Sequence, residues 1–133
     1  MKINLQLVLL LTIFVCACKP DLSNPKIEEL YKEVMVIHDE VMPDISTIHK
    51  LKKRIRKLGD NSTVSLELIK NLDVADESMM SWMADFGKFR SMDKAKDEEK
   101  ITYLNKEKEK ISEVSKMMKQ AITEGTNYLS TKN

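Results

Sequence analysis

The chain has 133 residues, and its 22 Lys and Arg against 21 Asp and Glu give a formal net charge of +1. This balance excludes a strongly basic protein, so we expect no nucleic-acid partner. Charged residues make up 32% of the chain, and glycine and proline are scarce, which favours long solvated helices over a β-sandwich. A chain of this length can build one hydrophobic core but not two domains.

The N-terminal segment has the order of a secretory signal peptide. A positive start is followed by an apolar run from Leu5 to Val15, and the small residue Ala17 precedes Cys18. The apolar run is much shorter than the ~20 residues of a membrane-spanning helix, so we expect residues 1–17 to be a cleaved signal peptide. The cysteine directly after Ala17 resembles the acylated first cysteine of bacterial lipoproteins. That resemblance implies that Cys18 carries lipid and anchors the mature chain to a membrane.

Lipoprotein processing has consequences for the fold and the location. Cys16 and Cys18 are the only cysteines, so the processed chain keeps one and cannot form an internal disulfide. Its fold must then be held by the hydrophobic core alone. Lys19 stands where an inner-membrane retention signal has Asp, so we expect an exported protein, lipid-anchored in the cell envelope, with the outer membrane favoured. Cleavage after Ala17 by an ordinary signal peptidase, without acylation, is the alternative.

The first helix is predicted over residues 25–58. Asn24 followed by proline is typical of an N-cap and the first helical residue, and Gly59 is typical of the position after a helix C-terminus. Pro43 interrupts this helix. Because proline removes a backbone hydrogen bond and clashes with the preceding turn, we expect a kink near Asp39–Met42. The apolar residues at steps of three and four that define the helix are Ile27, Leu30, Val34, Ile37, Val41, Ile45, Ile48, Leu51, Ile55 and Leu58.

Two further helices are predicted after a turn capped by Ser62, one from about Val64 to Phe89 and one from about Lys94 to Leu129. Short connections favour antiparallel neighbours, so we expect an all-α, up-down-up three-helix bundle at 25–131, behind a polar tether at 18–24. Apolar faces left over could also serve a homo-oligomer. The predicted seams are Leu68, Leu72, Ala75, Met79, Trp82, Phe86 and Phe89, then Ile101, Leu104, Ile111, Val114, Met118, Ala121 or Ile122, and Tyr128 or Leu129.

Methionine and histidine cluster on the first helix. Met35, His38, Met42 and His49 fall within a narrow arc beside the apolar stripe if the helix continues through Pro43. Thioether and imidazole groups are the ligands that suit Cu(I). The competing interpretation is that flexible methionine fills an irregular core near the proline, with His38 half exposed and bonded to a carboxylate.

The second helix carries its own methionine cluster around the only tryptophan. Folding the two helices about residues 60–61 places Met42 level with Met79 and His38 level with Met83. A tryptophan face also attracts a cation. This pattern predicts a Cu(I) or Ag(I) site; haem iron is a second candidate and would be held non-covalently, because the chain has no Cys-x-x-Cys-His motif. The predicted metal ligands are His38, Met42, Met79 and Met83, with Trp82 alongside.

The stretch at 49–57 is strongly basic. It could contact anionic lipid headgroups, which attract basic clusters. The competing interpretation is structural: cations near a helix C-terminus complement its dipole, and Asp73, Asp76 and Glu77 would lie nearby as partners.

Three segments together resemble a family. The segments are His38-Asp39-Glu40-Val41-Met42-Pro43, Leu51-Lys52-Lys53, and Met79-Met80-Ser81-Trp82-Met83 with Phe86. They resemble a group of small lipoproteins of Bacteroidota that often carry the label "viral A-type inclusion protein". The resemblance covers roughly residues 1–90. It implies an envelope location and a helical fold, and it implies no activity and no functional residues.

These observations favour a non-enzymatic protein. His38-Asp39-Glu40 has no nucleophile partner, and the methionine at position 42 breaks the His-Glu-x-x-His spacing of zinc peptidases. We expect a protein held on the membrane by its N-terminal lipid that binds another envelope protein through an exposed helix face. A carrier of a soft metal or haem is the alternative function.

Overall fold

The computed structural model describes residues 20–132, and all regular secondary structure in that range is helical. The elements are α1 (Pro25–Val41), α2 (Asp44–Lys57), α3 (Thr63–Phe86), a 3₁₀ helix (Gly87–Ser91) and α4 (Asp97–Ser130). None of the helices within 20–132 combines the length and the apolar character that crossing a bilayer requires. The predicted signal peptide and the predicted lipidation at Cys18 lie outside the described residues.

The predicted first helix divides into α1 and α2 at Pro43. The backbone N–H of Met42 still donates to the carbonyl of His38 (3.0 Å), and the N–H of Ile45 donates back to Met42 (3.3 Å). Proline has no N–H to offer the carbonyl of Asp39, so the ladder breaks there. The predicted interruption is confirmed, but it falls at Met42-Pro43 and ends one helix before the next begins.

The caps follow the sequence pattern. The Asn24 side chain accepts a hydrogen bond from the Lys26 N–H (2.9 Å), and the Ser62 hydroxyl accepts one from the Ser65 N–H (3.2 Å). Gly59 has a φ of +65°, in the left-handed region that glycine adopts without steric cost. These three predictions are confirmed.

Two helix ends and one core position differ from the predictions. Helix α3, which corresponds to the predicted second helix, ends at Phe86 and not at about Phe89. The 3₁₀ helix that follows places Phe89 in the core. The last helix begins at Asp97, three acidic residues opening its first turn, and not at Lys94. Leu58 is 44% exposed, because it follows the last residue of α2 and lies beyond the packed stripe.

The apolar stripes meet in two clusters. The larger cluster joins all four α-helices, and the smaller one lies where the start of α1 meets the 3₁₀ helix and α4. The larger contains Val34, Val41, Ile48, Leu51, Ile55, Leu72, Ala75, Met79, Trp82, Ile111, Val114, Met118, Ala121 and Leu129; the smaller contains Ile27, Leu30, Phe89 and Leu104. Every one of these residues belongs to a predicted stripe.

Helix α4 packs against each of the other α-helices. Polar contacts between α1 and α4 proceed in the same order along both helices, with Lys108 on Glu33 (2.8 Å) and Lys119 on Glu40 (2.7 Å). The N-terminal segment is tied to the same helix by Lys100, which is buried and donates to Asp21 (3.0 Å). That ammonium is the main reason that the pKa of Asp21 is lowered to about 2.

Candidate functional site

Trp82 lies between two concave surfaces. Its side chain on α3 is 4% exposed and borders an open groove between α3 and α4 as well as a smaller pocket between α1 and α3. A buried indole N–H usually finds an acceptor. The Trp82 Nε1 has none among residues 20–132. Because its side chain lines both, Trp82 belongs to the wall of the groove and to the wall of the pocket.

The smaller concave surface, the aromatic pocket, has a volume of about 140 Å³. Its walls include Tyr31, Met35, His38, Trp82, Met83 and Phe86. The His38 ring lies 5.6 Å from the Trp82 ring, and Trp82 stacks on Phe86 at 4.9 Å. Stacked rings at such separations are mutually attractive, so they hold the pocket walls in fixed positions.

The orientation of His38 is set by its neighbour in the sequence. The Nδ1 atom lies 2.8 Å from the Asp39 carboxylate, and the His38 side chain is only 17% exposed. An ionised carboxylate can only accept, so Nδ1 carries the proton and donates. In the neutral ring Nε2 then has a free lone pair, which is the form in which histidine binds a metal.

The structure brings together some of the predicted metal ligands and separates others. His38 and Met83 line the aromatic pocket with Trp82, whereas Met42 lines a surface depression with His49. Met79 is fully buried in the core.

Met35, in the same predicted cluster but outside the predicted ligand set, lines the aromatic pocket as well. Its spacing of three residues from His38 is the sequence signal that both share a helix face. Within residues 20–132 no three His, Cys, Asp or Glu side chains are grouped to hold a metal ion. Because thioether ligands are a different donor set, the Cu(I) or Ag(I) site stays a prediction.

The larger concave surface, the α3–α4 groove, has a volume of about 620 Å³. Trp82 and Val114 are buried at its floor, and Val74 is exposed at one end. Val74 also borders a second depression, where Met117 is exposed, so apolar surface continues along the same two helices. The charged residues that line the groove are Glu77, Asp85, Glu109, Glu113 and Lys110.

The charge along the α3–α4 groove is predominantly negative. The Lys88 ammonium beside Asp85 holds the pKa of that carboxyl below its ordinary value, so it is ionised at neutral pH. Among the described residues Lys110 is the one cation that lines the groove, and its hydrogen bond to Glu107 (2.7 Å) raises the pKa of Lys110. The other oxygen of Glu107 is buried and has no partner among residues 20–132. Four carboxylates therefore face one ammonium that is already paired.

The basic stretch of α2 is partly neutralised by α3. Lys52 pairs with Asp73, and His49 contacts Asp76 at 2.7 Å. Arg56 lies 3.8 Å from Asp73. The structural interpretation of this stretch is thus confirmed for these residues, whereas Glu77 lines the α3–α4 groove instead. The exposed cations of the 49–57 stretch for which the described part of the chain shows no ion pair are Lys50, Lys53, Arg54 and Lys57.

Comparison with family models, with curated proteins and with solved structures finds nothing that matches this chain. The two surfaces that meet at Trp82 are the candidate binding surfaces of the described residues. The α3–α4 groove offers apolar contact with a negative rim, and the aromatic pocket offers soft donors in a small, half-open space.

Proposed function

We propose that this chain is a lipid-anchored protein of the bacterial cell envelope that binds a basic segment of another envelope protein in the α3–α4 groove and catalyses no reaction. The α3–α4 groove is the observation that carries this proposal. Exposed Val74 and buried Trp82 and Val114 supply apolar contact, and the carboxylates along the groove supply the sign of charge that a partner must complement. Exposed Met117, in the depression that Val74 also borders, extends the apolar surface.

The architecture that presents the groove is an up-down-up three-helix bundle in which α1 and α2 together form the first rod. The order of contacts supports it. Lys108 and Lys119 of α4 follow Glu33 and Glu40 of α1 in the same direction. Tyr103 early in α4 contacts the end of α3 at Asp85, which is the arrangement of antiparallel neighbours.

A basic partner segment fits the groove better than an acidic or purely apolar one. Opposite charges at the rim of an interface steer the approach of a partner and reject like-charged competitors. The exposed ion pairs that Asp85 and Glu113 make with neighbouring lysines are weak and do not prevent this, since exposed pairs contribute about 0–1 kcal/mol. The occupant we propose is an amphipathic segment with lysine or arginine flanking its apolar face.

The membrane attachment rests on the N-terminal pattern. Acyl chains on Cys18 would contribute roughly 0.8 kcal/mol per buried CH₂, so more than one chain holds a protein on the bilayer stably. The tether at 18–24 is short and places the start of α1 close to the headgroups. The family resemblance of the first ninety or so residues supports the same location.

Site-specific photo-crosslinking in intact cells tests the proposed interface. A photoreactive phenylalanine replaces Ser81, which lines the α3–α4 groove, and in the control it replaces Ser112, which is exposed on α4 outside the groove. We expect an adduct at Ser81 whose crosslinked peptide is a lysine- or arginine-rich segment of another envelope protein. The adduct should fall at least ten-fold when Glu109→Lys and Glu113→Lys are combined, and should persist with Glu67→Lys on the exposed part of α3.

Three outcomes would contradict the proposal. An adduct to a second copy of this chain would assign the groove to self-association. An adduct at Ser81 no stronger than that at Ser112 would mean that the groove is not an interface. A yield that is unchanged by reversing the charge of Glu109 and Glu113 would remove the electrostatic basis for a basic partner.

A further inference from the structure

The aromatic pocket combines three soft donor side chains with a tryptophan ring. Met35 and His38 come from α1, and Met83 and Trp82 come from α3. We infer that this pocket binds one Cu(I) or Ag(I) ion through the thioethers of Met35 and Met83 and the imidazole of His38, with the indole of Trp82 alongside. This site shares Trp82 with the α3–α4 groove, but its three donor residues lie outside the groove, so the inference does not rest on the proposed partner binding.

The donors match a soft monovalent cation in charge and in polarisability. Thioether sulfur is neutral and soft, and it selects Cu(I) over harder divalent ions. The imidazole of His38 is held by Asp39 with Nδ1 as the donor, so Nε2 is the atom that remains for the metal. Methionine has three rotatable bonds, so both sulfur atoms can adjust to the short contacts that a metal requires.

The size of the pocket favours an ion over a macrocycle. Its volume of about 140 Å³ is well below the ~300–1,000 Å³ of pockets that hold organic ligands, so haem is not the occupant we propose. The structure also changes the donor set that the sequence pattern favours. Met35 replaces Met42 and Met79, because Met42 lines a different depression and Met79 is enclosed in the core.

The surrounding charges permit a cation. Trp82 and Phe86 line the pocket, and an indole face attracts a cation within about 6 Å. Arg90 also lines the pocket, and the His38 ring contacts the Asp39 carboxylate. Because the three donors are neutral, the positive charge of Arg90 repels a monovalent ion less than a divalent one.

Cu(I) titration of the full chain in detergent, under anaerobic reducing conditions and against a chromophoric Cu(I) chelator, tests the site. Trp82 is the only tryptophan, so its fluorescence reports binding beside it. We expect one Cu(I) per chain with strong quenching, the same stoichiometry with Ag(I), and binding of Zn(II) at least 100-fold weaker. The double variant Met35→Leu with Met83→Leu conserves apolar volume and should lose at least 100-fold in Cu(I) affinity.

Two further variants make the result specific. His38→Gln, at a half-buried position, should also weaken Cu(I) binding by at least ten-fold with an unchanged melting curve. Met80→Leu is the matched control. Met80 lies two residues before Trp82 on α3, but its side chain is exposed and outside the pocket. This variant should bind Cu(I) as the wild type does. Absence of a single Cu(I) site in the wild type would overturn the inference. So would an equal loss in Met42→Leu with Met79→Leu, which would assign the ion to the other donor set.

Discussion

The hydroxyl of Tyr128, near the end of α4, donates a hydrogen bond to the carboxylate of Asp60, in the turn between α2 and α3. The backbone N–H of Ser62 donates to the same side chain (2.8 Å), and the Lys132 ammonium lies 3.2 Å away. The Tyr128 hydroxyl, followed by Ser62 and Lys132, holds the pKa of Asp60 well below its usual range. One carboxylate therefore joins the last turn of the bundle to the connection between two other helices.

Asp60 should contribute stability at neutral pH that is lost in acid. Because the folded-state pKa is lowered, the contribution is fully present above the unfolded value of about 3.9 and disappears as pH falls through the folded value. Asp60→Asn removes the charge and keeps an acceptor for Tyr128. We expect the variant to be less stable than the wild type at pH 7 in urea unfolding, with the difference shrinking between pH 4 and pH 2. A difference independent of pH would show that the charge of Asp60 is not involved.

The environment of Tyr103 predicts that stability depends on pH at the alkaline end of the scale as well. Burial, followed by the charges of Glu107 and Asp85, raises its pKa to about 12, and its hydroxyl donates to the Asp85 carbonyl (2.8 Å). The unfolded chain loses this proton near pH 10, before the folded chain does, so stability should fall as pH rises from 10 towards 12. Tyr103→Phe keeps the ring beside Phe89 and removes the titration. Between pH 9 and 12 its unfolding free energy should decline less steeply than that of the wild type; parallel curves would contradict the assignment.

Leu72 tests whether the seam of α3 is the centre of the core. It has no solvent exposure and lies in the larger apolar cluster. Leu72→Ala should cost about 2–5 kcal/mol in chemical denaturation, since removing a buried leucine loses transfer free energy and leaves a cavity. Leu66→Ala, an exposed leucine on the same helix, is the control and should change stability by less than about 0.5 kcal/mol.

Gly125 offers a stabilising change at the same level of the bundle. It is buried within α4, and a Cβ added there would meet Leu51, Leu72 and Ile55 at 3.5–3.7 Å, which is ordinary contact. Alanine inside a helix is favoured over glycine by about 0.8–1 kcal/mol, so Gly125→Ala should raise the midpoint of unfolding. Gly125→Leu, by contrast, should overpack the same space and cost about 1–3 kcal/mol. A destabilised alanine variant would mean that α4 cannot accept any added volume against α2 and α3.

The helices and the core could be predicted from the sequence because both depend on local periodicity. Steps of three and four residues identify the buried face, and Asn24, Gly59 and Ser62 act through contacts within a few residues. The burial of Lys100 could not be predicted in this way. Its charge is satisfied by Asp21 and by the Asp93 carbonyl, partners that only the assembled fold supplies.

The candidate site could likewise be predicted from the sequence only in part. Placing His38 beside Met83 and Trp82 required only that the chain fold back near residue 60, and these side chains do share the aromatic pocket. Whether Met35 or Met42 lines the pocket with His38 depended on the break at Pro43, because α1 ends at Val41 and Met42 lines a different depression. The α3–α4 groove could not be predicted, because it depends on which helix faces the fold leaves uncovered. The spacing of apolar residues along the chain does not contain that information.

The proposed lipid anchor gives a prediction that is independent of the fold. Cys18→Ala removes the thiol that acylation requires, so the protein should move from the membrane fraction to the soluble fraction when cells are broken and fractionated. High salt should not release the wild type, because acyl chains bind through the hydrophobic effect and not through charge.

Cys16→Ala is the matched control for Cys18→Ala. Both variants remove one of the two cysteines from the same short segment, but only Cys18 follows the small residue where the predicted cleavage occurs. We expect Cys16→Ala to stay in the membrane fraction and to incorporate a labelled fatty acid as the wild type does. Release of both variants into the soluble fraction would indicate that membrane attachment depends on the overall composition of the segment and not on Cys18 specifically. Retention of Cys18→Ala in high salt would show that something other than acylation of this cysteine holds the protein on the membrane.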